Sequence, residues 1–189
     1  MIGYIGVGSN LGDRRVWLRT GIVGLRAAGL RVLAVSSVWE SEPVGTTAPP
    51  WFLNMAVAVS TGLPPRDLLE LLLEVERRAG RSRCAPNSPR TLDMDLLLLG
   101  GLRWMDERLE LPHPRMWERP FVLEPLSQIA PDTRNPRSGR TVAEECERVR
   151  GRSVCREVGA LRLADIIRAS TPTRSRRSAS RHEVQIDRR

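Results

Sequence analysis

Apolar and polar positions alternate along some stretches of the chain and recur every three to four residues along others, which divides it into strands and helices. Residues 2–8 read as a first strand, ended by Gly8-Ser9-Asn10-Leu11-Gly12-Asp13. Those breakers fit a strand-to-helix turn better than a phosphate cradle. A helix is predicted over 13–28, with Leu18, Ile22 and Leu25 on one face and Arg15, Arg19 and Arg26 on another. Gly21 and Gly24 lower its intrinsic propensity, so packing must hold it. Residues 31–39 are β-branched and alternate, a second strand, and residues 51–61 are a third. In that third strand Asn54 shares a face with Phe52 and Ala56, while Leu53, Met55, Val57 and Val59 form the other. An amide set into so apolar a strand needs partners, from neighbouring backbone or from a polar ligand. Pro64-Pro65 open a helix over 65–79, with Leu68, Leu72, Val75 and Ala79 as its stripe and Gly80 as its stop.

The most informative pattern is Pro89-Arg90-Thr91-Leu92-Asp93-Met94-Asp95-Leu96-Leu97-Leu98-Leu99-Gly100. It reads as a buried strand into which two acids are set. Alternation puts Asp93 and Asp95 on one face, with Cα atoms about 6.6 Å apart, and Leu92, Met94, Leu96 and Leu98 on the other. Two carboxylates so close repel unless a cation or proton lies between them, and they suit Mg²⁺, which completes its shell with water and phosphate oxygens. A strand whose polar face meets water would carry two acids as readily. Arg90 and the preceding Arg81-Ser82-Arg83 favour metal with phosphate, because guanidinium matches phosphate oxygens in a fork. Glu76 stands late in its helix, where the dipole disfavours an acid, and is read either as a surface acid or as a site residue.

Beyond Gly100-Gly101 a hairpin is predicted through 102–111, then His113 in a proline-flanked loop. His113 is the only histidine outside the C-terminal tail, so it has no histidine partner for a metal pair. A short helical stretch runs from Arg119-Pro120-Phe121 to Ile129, and Thr141-Val142-Ala143-Glu144 forms a capping box for a helix to about 149. Leu161, Leu163, Ile166 and Ile167 give one more short helix, and 170–189 reads as disordered. The loop over 41–50 is rich in breakers and has the length of a substrate wall or a plain connector. The resulting order, β-α-β-β-α-β with a hairpin and C-terminal helices, predicts an α+β fold: a ferredoxin-like split-βαβ sandwich with a mainly antiparallel sheet.

Length and charge sharpen this. At 189 residues one domain is expected. No run reaches the length of a membrane span, and the first residues lack the character of a signal peptide, so a cytoplasmic enzyme is expected. Three cysteines at irregular spacing, Cys84, Cys146 and Cys155, read as thiols. The net charge of +8 invites nucleic acid as a partner, but residues 170–189 hold six Arg against Glu183 and Asp187, half of that excess. The chain contains no lysine. That excludes a P-loop, the strand lysine of protein kinases and Schiff-base chemistry, and leaves Arg and metal to handle any phosphate.

Taken together, Ile5-Gly6-Val7-Gly8-Ser9-Asn10-Leu11-Gly12, Ser41-Glu42-Pro43-Val44-Gly45, Phe52-Leu53-Asn54, Glu76 with Gly80-Arg81-Ser82-Arg83, the Pro89 to Asp95 segment, Leu111-Pro112-His113-Pro114 and Arg119-Pro120-Phe121-Val122-Leu123-Glu124-Pro125-Leu126 resemble the 6-hydroxymethyl-7,8-dihydropterin pyrophosphokinase family, in the family's order over residues 2–130. The resemblance implies transfer of pyrophosphate from ATP to the pterin hydroxymethyl oxygen, giving AMP and the pterin diphosphate, in folate biosynthesis. It implies two Mg²⁺ held by Asp93 and Asp95, with Arg81, Arg90 and Asp95 catalytic. Glu76, Arg81, Arg83, Arg90, Leu96, Arg108, His113 and Arg119 are matched to ATP. Ser41, Glu42, Pro43, Val44, Phe52, Asn54 and Phe121 are matched to the pterin, Phe52 and Phe121 as a sandwich around its ring. The chain departs from the family at Asn87-Ser88, where a tryptophan is frequent, in a loop over 84–89 that is one residue shorter. It departs also at Phe52, where a tyrosine is common, and at Glu110, where a small hydroxylated residue is expected. A pyrophosphokinase domain over 1–160 and a basic extension over 161–189 are expected, as a monomer with small-molecule substrates and no nucleic-acid or membrane partner. Two rival readings remain open at this level: an RNA-binding ferredoxin-like module, and a metal-dependent nucleotide hydrolase using the same carboxylates.

Overall fold

The strand with the strongest apolar alternation becomes the middle of the sheet. In the computed structural model, which describes residues 1–44, 50–81 and 89–170, β4 (Phe52–Ser60) pairs antiparallel along its whole length with β1 (Ile2–Ser9). On its other side β4 takes two short strands in turn, β2 (Arg31–Val35) and β3 (Ser37–Ser41). The continuous strand expected over 31–39 is therefore broken at Ser36. There the Ser36 hydroxyl accepts from the Ala56 N–H at 2.9 Å and the Ser36 N–H donates to the Ala56 carbonyl at 2.9 Å. The serine thus satisfies the backbone at the break and lets the edge bend with the sheet's twist.

The two acids lie in β5 (Asp93–Leu99), which pairs antiparallel with the free side of β1. The order β5-β1-β4-β3, with β2 sharing the β4 edge, is the split-βαβ arrangement of the ferredoxin-like fold. On one face pack α1 (Arg14–Ala27) and α2 (Pro65–Arg78) over Ile5, Val7, Met55, Val57, Val59, Met94 and Leu96. Close approach of these helices explains Gly24: a Cβ there would lie 2.6 Å from Val75 Cγ1. On the other face α3 (Pro120–Ile129) and α4 (Val142–Val149) cover Ala56, Leu97 and Leu98. Thr141 caps α4 through the expected reciprocal box with Glu144. Between β5 and α3 come the small hairpin of β6 (Trp104–Met105) and β7 (Glu110–Leu111) and a 3₁₀ turn over Met116–Glu118.

Two further features were not expected. Strict alternation would put Leu98 on the face of Met94 and Leu96, but the register slips between Tyr4 and Ile5, pairing them with Leu98 and Leu96. The bulge at Leu97 turns Leu97 and Leu98 both toward α3, and Leu99 returns to the α1 face. The other feature is β8 (Cys155–Ala160), absent from the sequence reading, which extends the sheet by pairing with β3. The short final helix forms as α5 (Leu163–Ser170), and its Ile166 is buried in the core of the α1 face. The tail expected to be disordered, 171–189, lies outside the described residues.

Candidate active site

The site grows from the face of the sheet that α3 only partly covers. Asp93 and Asp95 sit opposite Gly8 and Gly6 of β1. With no side chain on either glycine, the floor beside the acids stays open. A Cβ on Gly8 would lie 3.0 Å from Asn54 Oδ1 and 3.9 Å from Asp93 Cβ. In the sequence Gly6 and Gly8 are motif positions only, because a single strand does not reveal which residues it will face.

Asp93 is gripped by two guanidiniums: Arg81 Nη1 lies 2.6 Å from its Oδ1 and Arg90 Nη1 lies 2.8 Å from its Oδ2. Arg81 is in turn paired with Glu76, whose buried carboxylate also accepts from the Met94 N–H at 2.7 Å. Glu76 thus stands behind Arg81. Its position late in α2, against the helix dipole, is compensated by that guanidinium and by the strand's backbone. Arg90 is braced from below, since its N–H donates to Asn10 Oδ1 at 2.8 Å and the Asn10 N–H donates to the Arg90 carbonyl at 3.2 Å. Asn10, in the turn after β1, was not singled out in the sequence, where nothing ties residues eighty positions apart.

Burial pushes the Asp95 carboxyl above the ordinary carboxylate value, and the charge of Asp93 adds to the rise; His113, Arg119 and Arg81 draw it back. Burial likewise lowers the imidazole of His113 and the guanidinium of Arg119, each opposed by Asp95. His113 owes its place to the bulge, whose Leu97 carbonyl accepts the His113 N–H at 2.9 Å. Its Nδ1 accepts from the Arg115 N–H at 3.3 Å, which leaves Nε2 for another partner.

Two rings flank this cluster. Arg90 lies 6.0 Å from the centroid of Phe52, and Arg119 lies 5.5 Å from that of Phe121, so each ring carries a cation from the phosphate-type cluster. Asn54 is buried, and its amide donates to the equally buried Ser41 hydroxyl at 2.9 Å. The described partner of that amide is a side chain on β3, in place of the backbone or ligand that the strand pattern suggests. Glu42 is committed to the chain ahead of β8, its Oε1 accepting from the Val154 N–H at 3.0 Å. Pro43 and the exposed Val44 complete the described part of this rim.

Three expected residues stand differently. The Leu96 side chain is buried in the core on the α1 face, so it can offer a ligand only backbone. Arg108 pairs with Glu70 of α2 at 2.6 Å, both about half exposed, in the hairpin region instead of against the acids. Arg83 lies outside the described residues, as does the 84–88 part of the shortened loop. Cys146 and Cys155 are free thiols, as expected.

A divalent cation suits this donor set. Asp93 and Asp95 are oxygen ligands on one strand face, Asp95 is half-buried beside a like charge whose repulsion a bound cation would relieve further, and the opposing glycines leave room. Among the described residues no cluster of three His, Cys, Asp or Glu forms. Two carboxylates completed by substrate phosphates and water fit the hard, hydrated Mg²⁺ better than an all-protein cage.

Comparison with known proteins bears on the chain as a whole. Residues 4–131 match the profile of the 7,8-dihydro-6-hydroxymethylpterin-pyrophosphokinase family. The chain is 42% identical to a 2-amino-4-hydroxy-6-hydroxymethyldihydropteridine pyrophosphokinase of Bacillus subtilis, over 78% of this chain and 89% of that one. It is 46% identical to one from Methylorubrum extorquens, over 68% of this chain and 82% of the other. Among solved structures, a Plasmodium falciparum HPPK-DHPS with pteroate superposes with a TM-score of 0.61 at 13% identity. That match covers 78% of this chain and 42% of the solved chain, so the present protein corresponds to less than half of that one.

Proposed function

Starting from the chain's membership of the 7,8-dihydro-6-hydroxymethylpterin-pyrophosphokinase family, we infer how its residues divide the work of the reaction. The enzyme transfers pyrophosphate from ATP to hydroxymethyldihydropterin in folate synthesis. The observation that carries the assignment of roles is the convergence on Asp93 of two guanidiniums, beside a second, half-buried carboxylate, Asp95, on the same strand.

Asp93 and Asp95 would hold Mg²⁺, two ions in our reading, which when bound neutralises phosphate charge and polarises the bonds being exchanged. Arg81 and Arg90 donate to the phosphate oxygens, with Glu76 and Asn10 fixing their approach. His113 and Arg119 supply further donors on the α3 side, and Arg83 is assigned with them from the sequence. Arg108, and Leu96 through its backbone, are assigned to the nucleotide. The pterin lies between Phe52 and Phe121, its polar edge read by Asn54 and by residues 41–44. In the transfer the pterin hydroxymethyl oxygen forms a bond to the β-phosphorus, the bond from that phosphorus to the α,β-bridging oxygen breaks, AMP leaves and the hydroxyl proton is lost. Such a step asks chiefly for alignment and charge stabilisation. The catalytic unit is residues 1–160, acting as a monomer, with 161–189 an extension whose described part, 161–170, docks through Ile166. Among the described residues no helix is long and apolar enough to cross a membrane; we assign the enzyme to the cytoplasm.

An RNA-binding module would leave one face of its sheet open, with aromatics on it. Here α1 and α2 cover one face, and α3 and α4 cover Ala56, Leu97 and Leu98 on the other. The decisive test follows products from ATP, Mg²⁺ and 6-hydroxymethyl-7,8-dihydropterin with the wild type, Asp95→Ala and a pterin-free control. Pterin-dependent AMP without ADP, reduced at least about a hundredfold in the variant, is expected. A variant within about tenfold of wild type would remove Asp95 from the metal site. Nucleotide cleavage without pterin would favour a hydrolase.

A further inference from the structure

Behind the pterin wall, on the opposite face of the sheet, lies a charged cluster that none of the assigned roles uses. Val38 and Leu53 are buried against α1, so alternation puts Glu40 and Trp51 on that same face. Glu40 receives two guanidiniums. Arg14, at the start of α1, places Nη1 3.0 Å from Oε1, and Arg156 of β8 places Nη2 2.6 Å and Nε 3.2 Å from Oε2. Both arginines also reach Trp51: Arg14 Nη1 donates to its carbonyl at 2.9 Å, and Arg156 lies 5.8 Å from its ring centroid. The Glu40 side chain is only 15% exposed, and the hydrogen bond from Arg156 is the leading cause that holds its carboxyl below the usual value.

The position of these contacts in the chain gives them meaning. Glu40 immediately precedes Ser41, and Trp51 immediately precedes Phe52, and those two residues pair with each other across β3 and β4. Ser41 holds the Asn54 amide and Phe52 supplies a ring. Pairing of β8 with residues 40 and 41, and of Val154 with Glu42, adds a backbone tie to the same segment. Arg156 lies beyond residue 131, where the family match ends.

We propose that Arg156 is a positioning residue for the pterin subsite: through Glu40 and Trp51, with Arg14 as the second arm, it fixes the two strand ends that present Ser41 and Phe52 to the pterin. A fork with fixed geometry does this where a flexible ammonium would not, and a site loosened by a fraction of an ångström loses affinity for the ligand it shapes. The inference rests on the assignment of Phe52, Asn54 and Phe121 to the pterin.

The test compares steady-state constants for Arg156→Ala, Arg156→Lys and Glu40→Gln in the full-length protein, with Phe121→Ala alongside. Arg156→Ala is expected to raise the KM for 6-hydroxymethyl-7,8-dihydropterin about tenfold while the KM for ATP stays within about twofold. Arg156→Lys should fall between alanine and wild type. Glu40→Gln, which keeps the side chain's shape, should shift the same constant in the same direction, and it carries the test if the alanine variant does not fold. Equal rises in both KM values, or an unchanged pterin KM, would overturn the proposal. Phe121→Ala separates the two levels: if it raises the pterin KM and Arg156→Ala does not, the clamp fails alone. If neither does, the assignment of the pterin subsite fails with it.

Discussion

Asp95 shows how a single residue can trade stability for chemistry. Its carboxyl is raised chiefly by burial and then by Asp93, so the fold disfavours a charge at this position. Asp95→Asn is therefore expected to raise the melting temperature of the metal-free protein by about 3 °C, while transfer is lost; a fall in Tm would mean that Asp95 is already satisfied by the protein. Gly8 is the complementary case. A methyl there would press on Asn54 Oδ1 at 3.0 Å and narrow the floor beside Asp93. Gly8→Ala should raise the pterin KM with little change in secondary structure, and circular dichroism with kinetics would show whether the two effects separate. At Cys146 and Cys155 the thiolate is disfavoured: burial pushes Cys146 to about 11, with Glu124 adding, and Cys155 to about 12. Iodoacetamide at pH 7.5 should leave both peptides unlabelled in the native protein and label them after denaturation, as mass spectrometry would report.

At the level of elements, the bulge in β5 and the glycine contact between helices do work that periodicity conceals. The bulge turns Leu97 and Leu98 to the same face and directs a carbonyl to His113. The hydrophobic run itself, four leucines, contains no sign of it; pairing with β1 decides the register. Between α1 and α2, the 2.6 Å approach of a would-be Cβ at Gly24 to Val75 means that Gly24→Ala gains helix propensity but must part the helices. Overpacking of this kind costs about 1–3 kcal/mol, against about 1 kcal/mol of propensity. A net loss of stability in urea unfolding is therefore expected, and Gly24→Ala together with Val75→Ala should recover part of it.

Over the whole molecule, acid sensitivity follows from two well-bonded carboxylates, Glu40 tied to distant parts of the chain and Glu145 to residues within ten positions. Glu40 is held below its ordinary 4.5, first by Arg156 and then by Arg14 against the opposing effect of burial. For Glu145 burial also opposes, and hydrogen bonds from Ser138, Asn135 and Arg148 outweigh it. A depressed carboxylate contributes stability above its unfolded value, and that contribution is lost as pH falls through the folded one. The contribution of these two carboxylates to the melting temperature should therefore change little from pH 7 to about pH 5 and be lost below about 4.5. Glu40→Gln should make the drop shallower, and an identical curve for that variant would discount its ion pairs. Because Glu40 joins β3 to α1 and β8, its loss acts on the assembly of the sheet edge as well as on one strand.

Local chemistry was enough to place the helices with their caps and stops, the strand that carries Asp93 and Asp95, and a fold class fixed by the order of periods, because each depends on neighbours within a few positions. The absence of lysine likewise narrowed the chemistry to arginine and metal before any contact was visible. Residue types and motif order also carry the roles proposed for Arg81, Arg90, Phe52 and Phe121. What tertiary structure decided was everything that joins distant segments. Asn10 braces Arg90 across eighty residues, Glu76 turns inward to hold Arg81, and Gly6 and Gly8 become the floor opposite the acids. Ser36 breaks a strand that looked continuous, because its hydroxyl meets the backbone of β4. β8, a half-exposed edge segment whose weak alternation gives little signal, acquires its meaning only when β3 pairs with it and Arg156 meets Glu40. Propensity and periodicity are properties of a segment, whereas register and ion pairing belong to two segments at once, and only the folded chain brings them together.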